Sequence, residues 1–534
     1  MAGQLENARS TTGTSTRQKD VSPISGMCAI CVRECAHLCE VGKSAFRGRE
    51  VLYPNPEDFG SSTAASNKDY MLDWSHFQIM VEALGAQGVE PNPERAIFPE
   101  ADITTTAGGV PLKVPFFIAA LGSTDVARVT WDGLAVGAAL SGTMMVIGEN
   151  VCGMDPAARF DDGGKIVYSQ DMARRVECFR RYWDGRHGDI VVQTNLEDMR
   201  FGVDIYALNE LGVRIIERKW GQGAKAIGGE VRVDSLEKAI LLKERGYIII
   251  PDPEDEAVQE AFRRRTFTTF ERHSRVGMPE ERSFIEDVAW LREQGAEKVF
   301  LKTGAYKPAT VAFTLKCASL AHVDLVTFDG AGGGTGMSPV PMMNECGSPT
   351  VYLLAQVLEC IRILKEKGHY IPDIAIAGGF VNETQAFKAI AMSNLDDGHG
   401  PYVKAIAMAR APLTAVMKSG YFTELSMNSR VPKSFSRLYG GKPELFFITY
   451  PELYRKYGED LGNGIPWSAV GLYTYLVDRL GIGLKQLMAG ARKWRLDLLD
   501  RKDIVALSER ASLVTGIPTL EEMAHETMLT ILDF

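Results

Sequence analysis

The chain has 534 residues, of which 45% are hydrophobic and 24% charged, and its formal net charge is −9 at pH 7. This composition predicts a globular protein with a large core, and the dispersed Lys and Arg residues argue against nucleic-acid binding or a polybasic membrane anchor. No run of about 18 apolar residues and no signal-peptide core is present. We therefore expect a cytoplasmic protein that does not bind membranes.

The N-terminal 50 residues form two predicted segments. Residues 1–25 are polar and rich in Ser and Thr, which predicts a flexible tail. Residues 26–50 contain a cysteine-rich group, Cys28, Cys31, Cys35 and Cys39. In a cytosolic protein such spacing favours a metal site over disulfides, and it suits either zinc or an iron–sulfur cluster. His37 could replace one thiolate, and four unligated cysteines are the remaining alternative.

The sequence predicts a cap over residues 51–115, with one helix in DYMLDWSHFQIMVEALG from Asp69. Eight short apolar runs follow between residues 116 and 425, most ending in polar or glycine residues. They are FFIAAL (from Phe116), MMVIGEN (Met144), IVVQTN (Ile190), VRIIERK (Val213), VFLKTG (Val299), DLVTFDG (Asp324), IAIAGG (Ile374) and KAIAMA (Lys404). Helix-period segments alternate with them, and this order predicts an α/β chain folded as a (β/α)8 TIM barrel.

Helix boundaries are also predicted. SLEKAILLKERG from Ser235 and SFIEDVAWLREQG from Ser283 each begin at a capping Ser and end at Gly. Residues 426–534 are expected to form a helical C-terminal extension. Within it, SAVGLYTYLVDRLGIGLKQLMAGA from Ser468 and DRKDIVALSERASLVTG from Asp500 have the pattern of amphipathic helices.

Glycine-rich loops follow two neighbouring strands. DGAGGGTGMSP runs from Asp329 after the sixth apolar run, and Gly378 and Gly379 follow the seventh. Such loops expose backbone amides to phosphate, and Arg410 after the eighth run could add a cation. A plain tight turn is the alternative for each loop.

Charged residues end two other strands. Lys302 ends the fifth run, where its ammonium could stabilise the anionic N1–C2=O locus of a reduced flavin; a surface lysine is the alternative. Glu217, Lys219, Gln222 and Lys225 occur at and just after the fourth. Two cations, a carboxylate and an amide suit a dicarboxylate or keto acid, although a solvated charged loop would have the same composition.

Several motifs together make the chain resemble the FMN-binding synthase domain of the glutamate synthase family, from about residue 50 to 515. PFFIAALGS resembles its first barrel strand, VIGEN its Gly-Glu element at Gly148 and Glu149, and MRFGV its Arg-Phe-Gly-Val. IERKWGQGAK is similar to its I-E-x-K-x-x-Q-G-A-K signature and GGGTGMSP to its G-G-T-G-x-S-P loop.

The resemblance implies FMN at the barrel mouth and reduction of 2-iminoglutarate, made from 2-oxoglutarate and ammonia, to L-glutamate. It implies that Glu149 and Lys219 line the 2-oxoglutarate pocket and that Gln222 and Lys225 lie toward flavin and substrate. The residues expected to bind FMN are Ala120, Lys302, Gly330, Gly333, Gly334, Thr335, Gly378, Gly379, Ala409 and Arg410.

Departures from the family pattern change the expected partners. The family's three-iron cluster needs cysteines after the eighth strand, and residues 421–470 contain none. We therefore expect Cys28–Cys39 to hold a cluster of the 4Fe-4S type and to fold over the barrel mouth. No glutaminase part or NAD(P)H domain is recognised, so ammonia or a glutaminase subunit and an external donor such as ferredoxin are expected, in a homo-oligomer.

Two further departures lie on the active rim and leave the substrate open. Ala331 and Gly332 replace His-Asp, and a Pro-Gly-Glu-Gly-Gly loop is shortened to AIGG. One alternative is a transferase subunit resembling N-methylglutamate synthase. Another is a non-catalytic zinc-binding scaffold, against which the charged residues at the strand ends argue.

Overall fold

The computed structural model of the chain describes residues 45–49, 69–334 and 338–533. The four cysteines of the predicted cluster and Thr335 lie outside these residues. Within the described ranges, no helix combines the length and apolarity needed to span a membrane.

A closed barrel of eight parallel strands forms the centre of the molecule, and the strands follow one another around it in chain order. Every predicted apolar run supplies one strand, which confirms the (β/α)8 fold. The strands are Phe116–Leu121, Met145–Ile147, Ile190–Thr194, Ile215–Lys219, Lys298–Thr303, Leu325–Asp329, Asp373–Ala377 and Val403–Met408. The runs are almost continuously apolar because both faces of each strand are covered.

Helices surround the barrel between successive strands. They are Asp125–Leu140, Val151–Met154, Gln170–Arg180, Leu196–Phe201, Val203–Asn209, Leu236–Glu244, Glu256–Arg263, Glu281–Glu293, Pro308–Leu320, Val340–Glu345, Thr350–Glu366, Glu383–Met392 and Arg410–Met427. Ser235 caps its helix as predicted, by accepting from the Lys238 amide. The predicted cap at Ser283 is wrong, because the Glu280 carboxylate accepts from the amides of Arg282 and Ser283 and the helix begins earlier.

A hairpin of Thr105–Ala107 and Val110–Leu112 closes the N-terminal end of the barrel. The Gly108 amide donates to Asp373 Oδ2 (2.9 Å), and Thr105 Oγ1 donates to the Lys404 carbonyl (3.0 Å). Gly108 has φ +58°, and a Cβ there would lie 2.5 Å from the Phe300 ring, so only glycine fits. The hairpin packs on inward-facing apolar side chains of the strands, which leaves the C-terminal mouth as the open end.

Two helices predicted outside the barrel are replaced by a small sheet. The segment after Asp69 forms a turn at Trp74–His76 and a strand, Phe77–Ile79, which pairs antiparallel with Ile504–Ala506. Of the second predicted helix, only a short 3-10 turn at Arg501–Asp503 and the helix Glu509–Thr515 are helical. Both predictions failed because pairing between distant parts of the chain outweighs local helical periodicity.

The C-terminal extension is otherwise helical, as predicted. Its helices are Lys433–Tyr439, Pro443–Phe446, Tyr450–Tyr457, Trp467–Tyr473, Gly483–Gly490, Glu509–Thr515 and Leu520–Leu532. A stretch of π-helix, Thr474–Ile482, joins the fourth and fifth into one rod. This rod packs on Asp125–Leu140, where a Cβ at Gly137 would lie 2.8 Å from Leu472.

A large insertion lies between the fourth and fifth barrel strands. It contains a three-stranded antiparallel sheet of Glu230–Val233, Phe270–His273 and Ile248–Ile250, with Phe270–His273 in the centre. Small hairpin strands Arg159–Phe160 and Ile166–Tyr168 follow the second barrel strand. Since such insertions leave from the carboxyl ends of the strands, they stand at the barrel mouth.

Candidate active site

Charged side chains point into the barrel interior near the carboxyl ends of the fourth and fifth strands. Side chains alternate along a strand, and Ile215 and Phe300 face the interior apolar cluster, so Glu217 and Lys302 face inward as well. Glu217 is 2% and Lys302 4% exposed. Gln193 Nε2 donates to Glu217 Oε1 (2.5 Å). Burial raises the pKa of Glu217, and the nearby Lys302 partly offsets that rise.

The fourth strand ends in an ion pair that spans the mouth. Lys219 Nζ donates to Glu149 Oε1 and to Gln222 Oε1, the latter at 2.9 Å. Burial alone would raise the pKa of Glu149, but the charge and hydrogen bond of Lys219 outweigh it and hold that pKa at about 2. Three of the four residues predicted to be catalytic therefore meet at one point. Their burial excludes the interpretation of a solvated charged loop.

The turn after the fourth strand is held by backbone contacts with its neighbours. The Trp220 amide donates to the Lys302 carbonyl (2.8 Å), and the Ala305 amide donates to the Gly223 carbonyl (2.8 Å). The Gly223 amide donates to Asp329 Oδ2 (3.0 Å), and this carboxylate also lies 3.8 Å from Lys302 Nζ. These contacts fix Gln222 above the buried lysine.

Lys225, the fourth predicted catalytic residue, stands at the end of the same turn, where its amide donates to the Gln222 carbonyl (3.1 Å). Its Nζ lies 3.2 Å from Glu230 Oε2, on the first strand of the insertion. Burial lowers the pKa of Lys225, and Glu230 works in the opposite direction. A lysine with a lowered pKa is suited to proton transfer.

A glycine cradle occupies the opposite side of the mouth. Gly378 and Gly379 have φ +109° and +89°, and a Cβ at Gly378 would lie 2.7 Å from Thr350 Oγ1. Arg410 Nη2 donates to the Gly332 carbonyl (3.0 Å), which brings the guanidinium beside the cradle. A cavity of about 600 Å³ borders these groups. Glycine amides and a guanidinium around such a space match the needs of a phosphate.

The floor between cradle and ion pair is built from small residues. Ala119, Ala375, Ala377, Ala405 and Ala407 face the interior, and Ala120 and Ala409 pack at its edge. The Gly330 amide of the sixth-strand loop donates to the Ala377 carbonyl (2.9 Å), and the Gly333 amide donates to the Gly330 carbonyl (2.8 Å). This arrangement leaves room for a flat group across the barrel mouth.

Among the buried polar atoms that lack a hydrogen-bond partner within the described residues, two lie on side chains that face the barrel interior, Gln193 Oε1 and Thr327 Oγ1. Thr327 lies two residues from the inward-facing Leu325 and shares its direction, as Gln193 does with Val191. Buried polar groups are nearly always satisfied, so these two favour a polar ligand in the mouth. A flavin fits the cradle, the small-residue floor and the unsatisfied atoms together.

Glu149 was predicted next to Lys219, but two other acidic partners were not predicted from the sequence. They are Asp329, beside Lys302, and Glu230, beside Lys225. Glu230 and His273 lie in the insertion, and their approach depends on strand pairing. No local motif could have identified them. Among the residues that the structure describes, no group of three or more His, Cys, Asp or Glu residues could hold a metal ion.

Comparison with known proteins gives one family match. Residues 274–397 match the model described as the conserved region in glutamate synthase. They include the fifth, sixth and seventh barrel strands, with Lys302 and both glycine loops. No curated protein matches the chain.

Solved structures with a similar fold include a soluble mutant of (S)-mandelate dehydrogenase from Pseudomonas putida. Its sequence is 14% identical, the alignment covers 81% of this chain and 88% of that chain, and the TM-score is 0.42. The flavin-binding domain of baker's yeast flavocytochrome b2 is 12% identical, with 82% and 78% covered and a TM-score of 0.44. At these TM-scores the similarity carries no conclusion. The match over residues 274–397, within the closed (β/α)8 barrel, confirms the resemblance to the synthase domain of the glutamate synthase family.

Proposed function

We propose that the protein is an FMN-dependent oxidoreductase that forms L-glutamate by reductive amination of 2-oxoglutarate. The observation that carries the proposal is the buried cluster of Lys219, Glu149 and Gln222 at the mouth of a barrel whose opposite rim is a glycine cradle. The cluster supplies charge for a dicarboxylate, and the cradle supplies a phosphate site. The family match over residues 274–397 supports the same assignment.

In this proposal the chain holds FMN through both glycine loops. Gly378, Gly379 and Arg410 take the phosphate. Ala120, Lys302, Ala409, Gly330, Gly333 and Gly334 would hold the rest of the cofactor, and Thr335, which lies outside the described residues, is proposed to join them. When bound, the flavin supplies the hydride equivalent that reduces an imine carbon.

The substrate would lie between the flavin and the turn after the fourth strand. Lys219 binds one carboxylate of the dicarboxylate and Gln222 donates to the carbonyl or imine end. Glu149 keeps Lys219 charged and fixed, because its carboxylate stays ionised far below neutral pH. Lys225 donates a proton at the reacting carbon, either to the oxygen that leaves as water or to the nitrogen of the amine that forms.

The proposed electron entry is an iron–sulfur cluster on Cys28, Cys31, Cys35 and Cys39, fed by ferredoxin or another external donor. Arg47 lies eight residues after Cys39, and its Nη1 donates to the Thr266 carbonyl of the insertion (3.2 Å). This contact ties the chain that follows the cysteines to the insertion, and it is the reason for proposing the cluster on this side of the molecule. Thiolates kept free for a cluster need a reducing compartment, which supports a cytoplasmic location.

The test is an anaerobic spectrum of the purified protein followed by a product assay. We expect flavin absorption bands on a broad iron–sulfur shoulder, both bleached by dithionite, and L-glutamate formed from 2-oxoglutarate and ammonium. Replacement of ammonium by methylamine distinguishes an N-methylglutamate product. A protein that binds no FMN on reconstitution would refute the proposal, and bound zinc without iron would favour a scaffold.

A further inference from the structure

A continuous row of ionisable side chains leads away from Lys225 through the insertion. Lys225 Nζ lies 3.2 Å from Glu230 Oε2, and the other oxygen of Glu230 lies 3.4 Å from His273 Nδ1. His273 Nε2 lies 3.1 Å from Glu271 Oε2. The second oxygen of Glu271 lies 3.3 Å from Arg49 Nε. Each residue of the row thus uses a different atom for each neighbour.

The sheet of the insertion creates this row. Glu230 and His273 are directly paired across antiparallel strands, so their side chains lie on the same face. Glu271 is two residues before His273 on the same strand and shares that face. Four members of the row are largely covered, with side-chain exposures of 10% for Lys225, 4% for Glu230, 19% for His273 and 11% for Glu271, whereas Arg49 at the outer end is 49% exposed. The row therefore runs from the barrel mouth to an exposed end.

We propose that Glu271, His273 and Glu230 form a proton relay that recharges Lys225 from solvent. The proposal rests on the proposed function, in which Lys225 donates a proton at the reacting centre. His273 does not touch the substrate. It acts through Lys225, as a positioning residue that passes protons toward it. Its two ring nitrogens face two different carboxylates, and an imidazole in that position can accept a proton on one side while it releases one on the other.

The reaction creates the need for such a path. Formation of glutamate from 2-oxoglutarate dianion and ammonium consumes two electrons and two protons and releases one water molecule. A one-electron donor such as ferredoxin delivers electrons without protons, so both protons must come from solvent. Lys225 and Glu230 are largely covered, with side chains 10% and 4% exposed, and Glu149 and Lys219 are bound to each other. A chain of titratable groups offers protons a path to Lys225 on this side of the mouth.

The transfers balance at every group. After Lys225 has given a proton to the substrate as an ammonium, it is a neutral amine. Glu230 takes a proton from His273 Nδ1 and passes it to Lys225 Nζ. His273 regains a proton at Nε2 from Glu271, which takes it from water. One proton has moved inward, and each group has returned to its starting charge. His273 is left as the Nε2–H tautomer, and its ring must flip before it can pass the next proton in the same direction.

Other charges set the outer end of the row. Burial by itself would raise the pKa of Glu271. The hydrogen bond to His273 and the charges of Arg49 and Arg232 outweigh burial, so the pKa is lowered overall. Glu271 is then an anion that attracts protons to the entrance and carries one only transiently. Glu230, Glu271, Arg49, Arg232 and Lys225 are the charged groups that surround His273.

The test compares His273→Ala and His273→Gln with the wild-type holoenzyme in the glutamate assay. We expect kcat to fall by about 10- to 100-fold with KM changed less than about twofold, because substrate contacts are retained. Added imidazole should restore His273→Ala by at least about tenfold and should leave His273→Gln unchanged. A steric or folding role would not respond to imidazole.

His187→Gln is the matched control. The His187 side chain is 21% exposed and its Nδ1 lies 2.9 Å from Asp184 Oδ2, but this pair is at the closed end of the barrel. Its activity should equal that of the wild type, with or without imidazole. Unchanged kcat in both His273 variants would overturn the relay, and so would a loss that imidazole does not repair.

A readout without turnover separates this inference from the proposed function. In protein labelled with ¹⁵N-histidine, Glu230→Gln should shift the His273 Nδ1 resonance and Glu271→Gln the Nε2 resonance. A wild-type protein that makes no glutamate but shows this pattern would refute the proposed function and leave the relay intact. Resonances that respond to neither substitution would overturn the relay even in an active enzyme.

Discussion

Replacement of Lys219 by Met tests the ion pair at the centre of the candidate site. The Glu149 side chain is 17% exposed and its pKa is lowered from 4.5 to about 2. At about 1.4 kcal/mol per pKa unit this shift corresponds to roughly 3 kcal/mol of stability. Loss of one partner from a buried pair typically costs about 3–5 kcal/mol, in agreement with this value. We expect Lys219→Met to lower the free energy of unfolding by about 3 kcal/mol at pH 7.

The stability difference between Lys219→Met and the wild type should depend on pH. Because the folded pKa of Glu149 is below its unfolded value, the stabilisation is present above pH 4.5 and is lost as the pH falls toward 2. Urea unfolding at pH 7 and pH 3.5 should therefore show a large gap between variant and wild type that narrows in acid.

Lys243→Met is the control for this experiment. Lys243 pairs with Asp252 and Glu254 on the surface of the insertion, where solvent screens the charges, so its loss should lower the free energy of unfolding far less than the loss of Lys219 and with little dependence on pH. A gap below about 1 kcal/mol for Lys219→Met, or a gap of equal size at both pH values, would refute the reasoning.

Three further changes test other parts of the account. Gly378→Ala places a Cβ 2.8 Å from the Gly330 amide nitrogen at φ +109°, so it should unfold at least about 2 kcal/mol more easily and bind FMN more weakly; Gly368→Ala, with φ +71° and no atom within 4 Å, should cost about 1 kcal/mol and leave FMN affinity unchanged. Arg410→Met should raise the FMN dissociation constant by about 10- to 100-fold in a fluorescence titration, since a charged hydrogen bond contributes about 1.5–3 kcal/mol; an unchanged constant would remove Arg410 from the phosphate site. Burial raises the pKa of Asp198 from 3.8 to about 7. The protonated side chain therefore contributes to the stability of the folded protein below pH 3.8, and this contribution is lost as the pH rises through 7. In urea unfolding, the difference in free energy of unfolding between Asp198→Asn and the wild type should therefore change by roughly 4 kcal/mol in favour of the variant from pH 4 to pH 8. A difference that does not depend on pH would contradict the assignment.

The barrel could be predicted because each strand is marked locally. A run such as IAIAGG is buried on both faces and ends at a glycine, so its apolar content and its end are visible without knowledge of the rest of the fold. The inward direction of Lys302 follows from its place at a strand end in the same way. Local patterns therefore predicted both the fold class and one side of the candidate site.

Features that depend on distant pairing could not be predicted. The segment around Phe77 has helical periodicity, but its partner strand begins at Ile504, more than 400 residues later. Similarly, His273 reaches Glu230 only because their strands pair in one register across the insertion. A shift of one residue would turn His273 to the other face and break the row of contacts.

The proposed reaction is reduction of the imine of 2-oxoglutarate at the barrel mouth. The most direct test is a single-turnover experiment in which the FMN-reconstituted protein is reduced anaerobically and mixed with 2-oxoglutarate and ¹⁵N-ammonium. The account predicts reoxidation of the flavin only when both substrates are present, with one equivalent of ¹⁵N-glutamate found by mass spectrometry. Flavin that stays reduced with both substrates, or that is reoxidised without labelled glutamate, would contradict it.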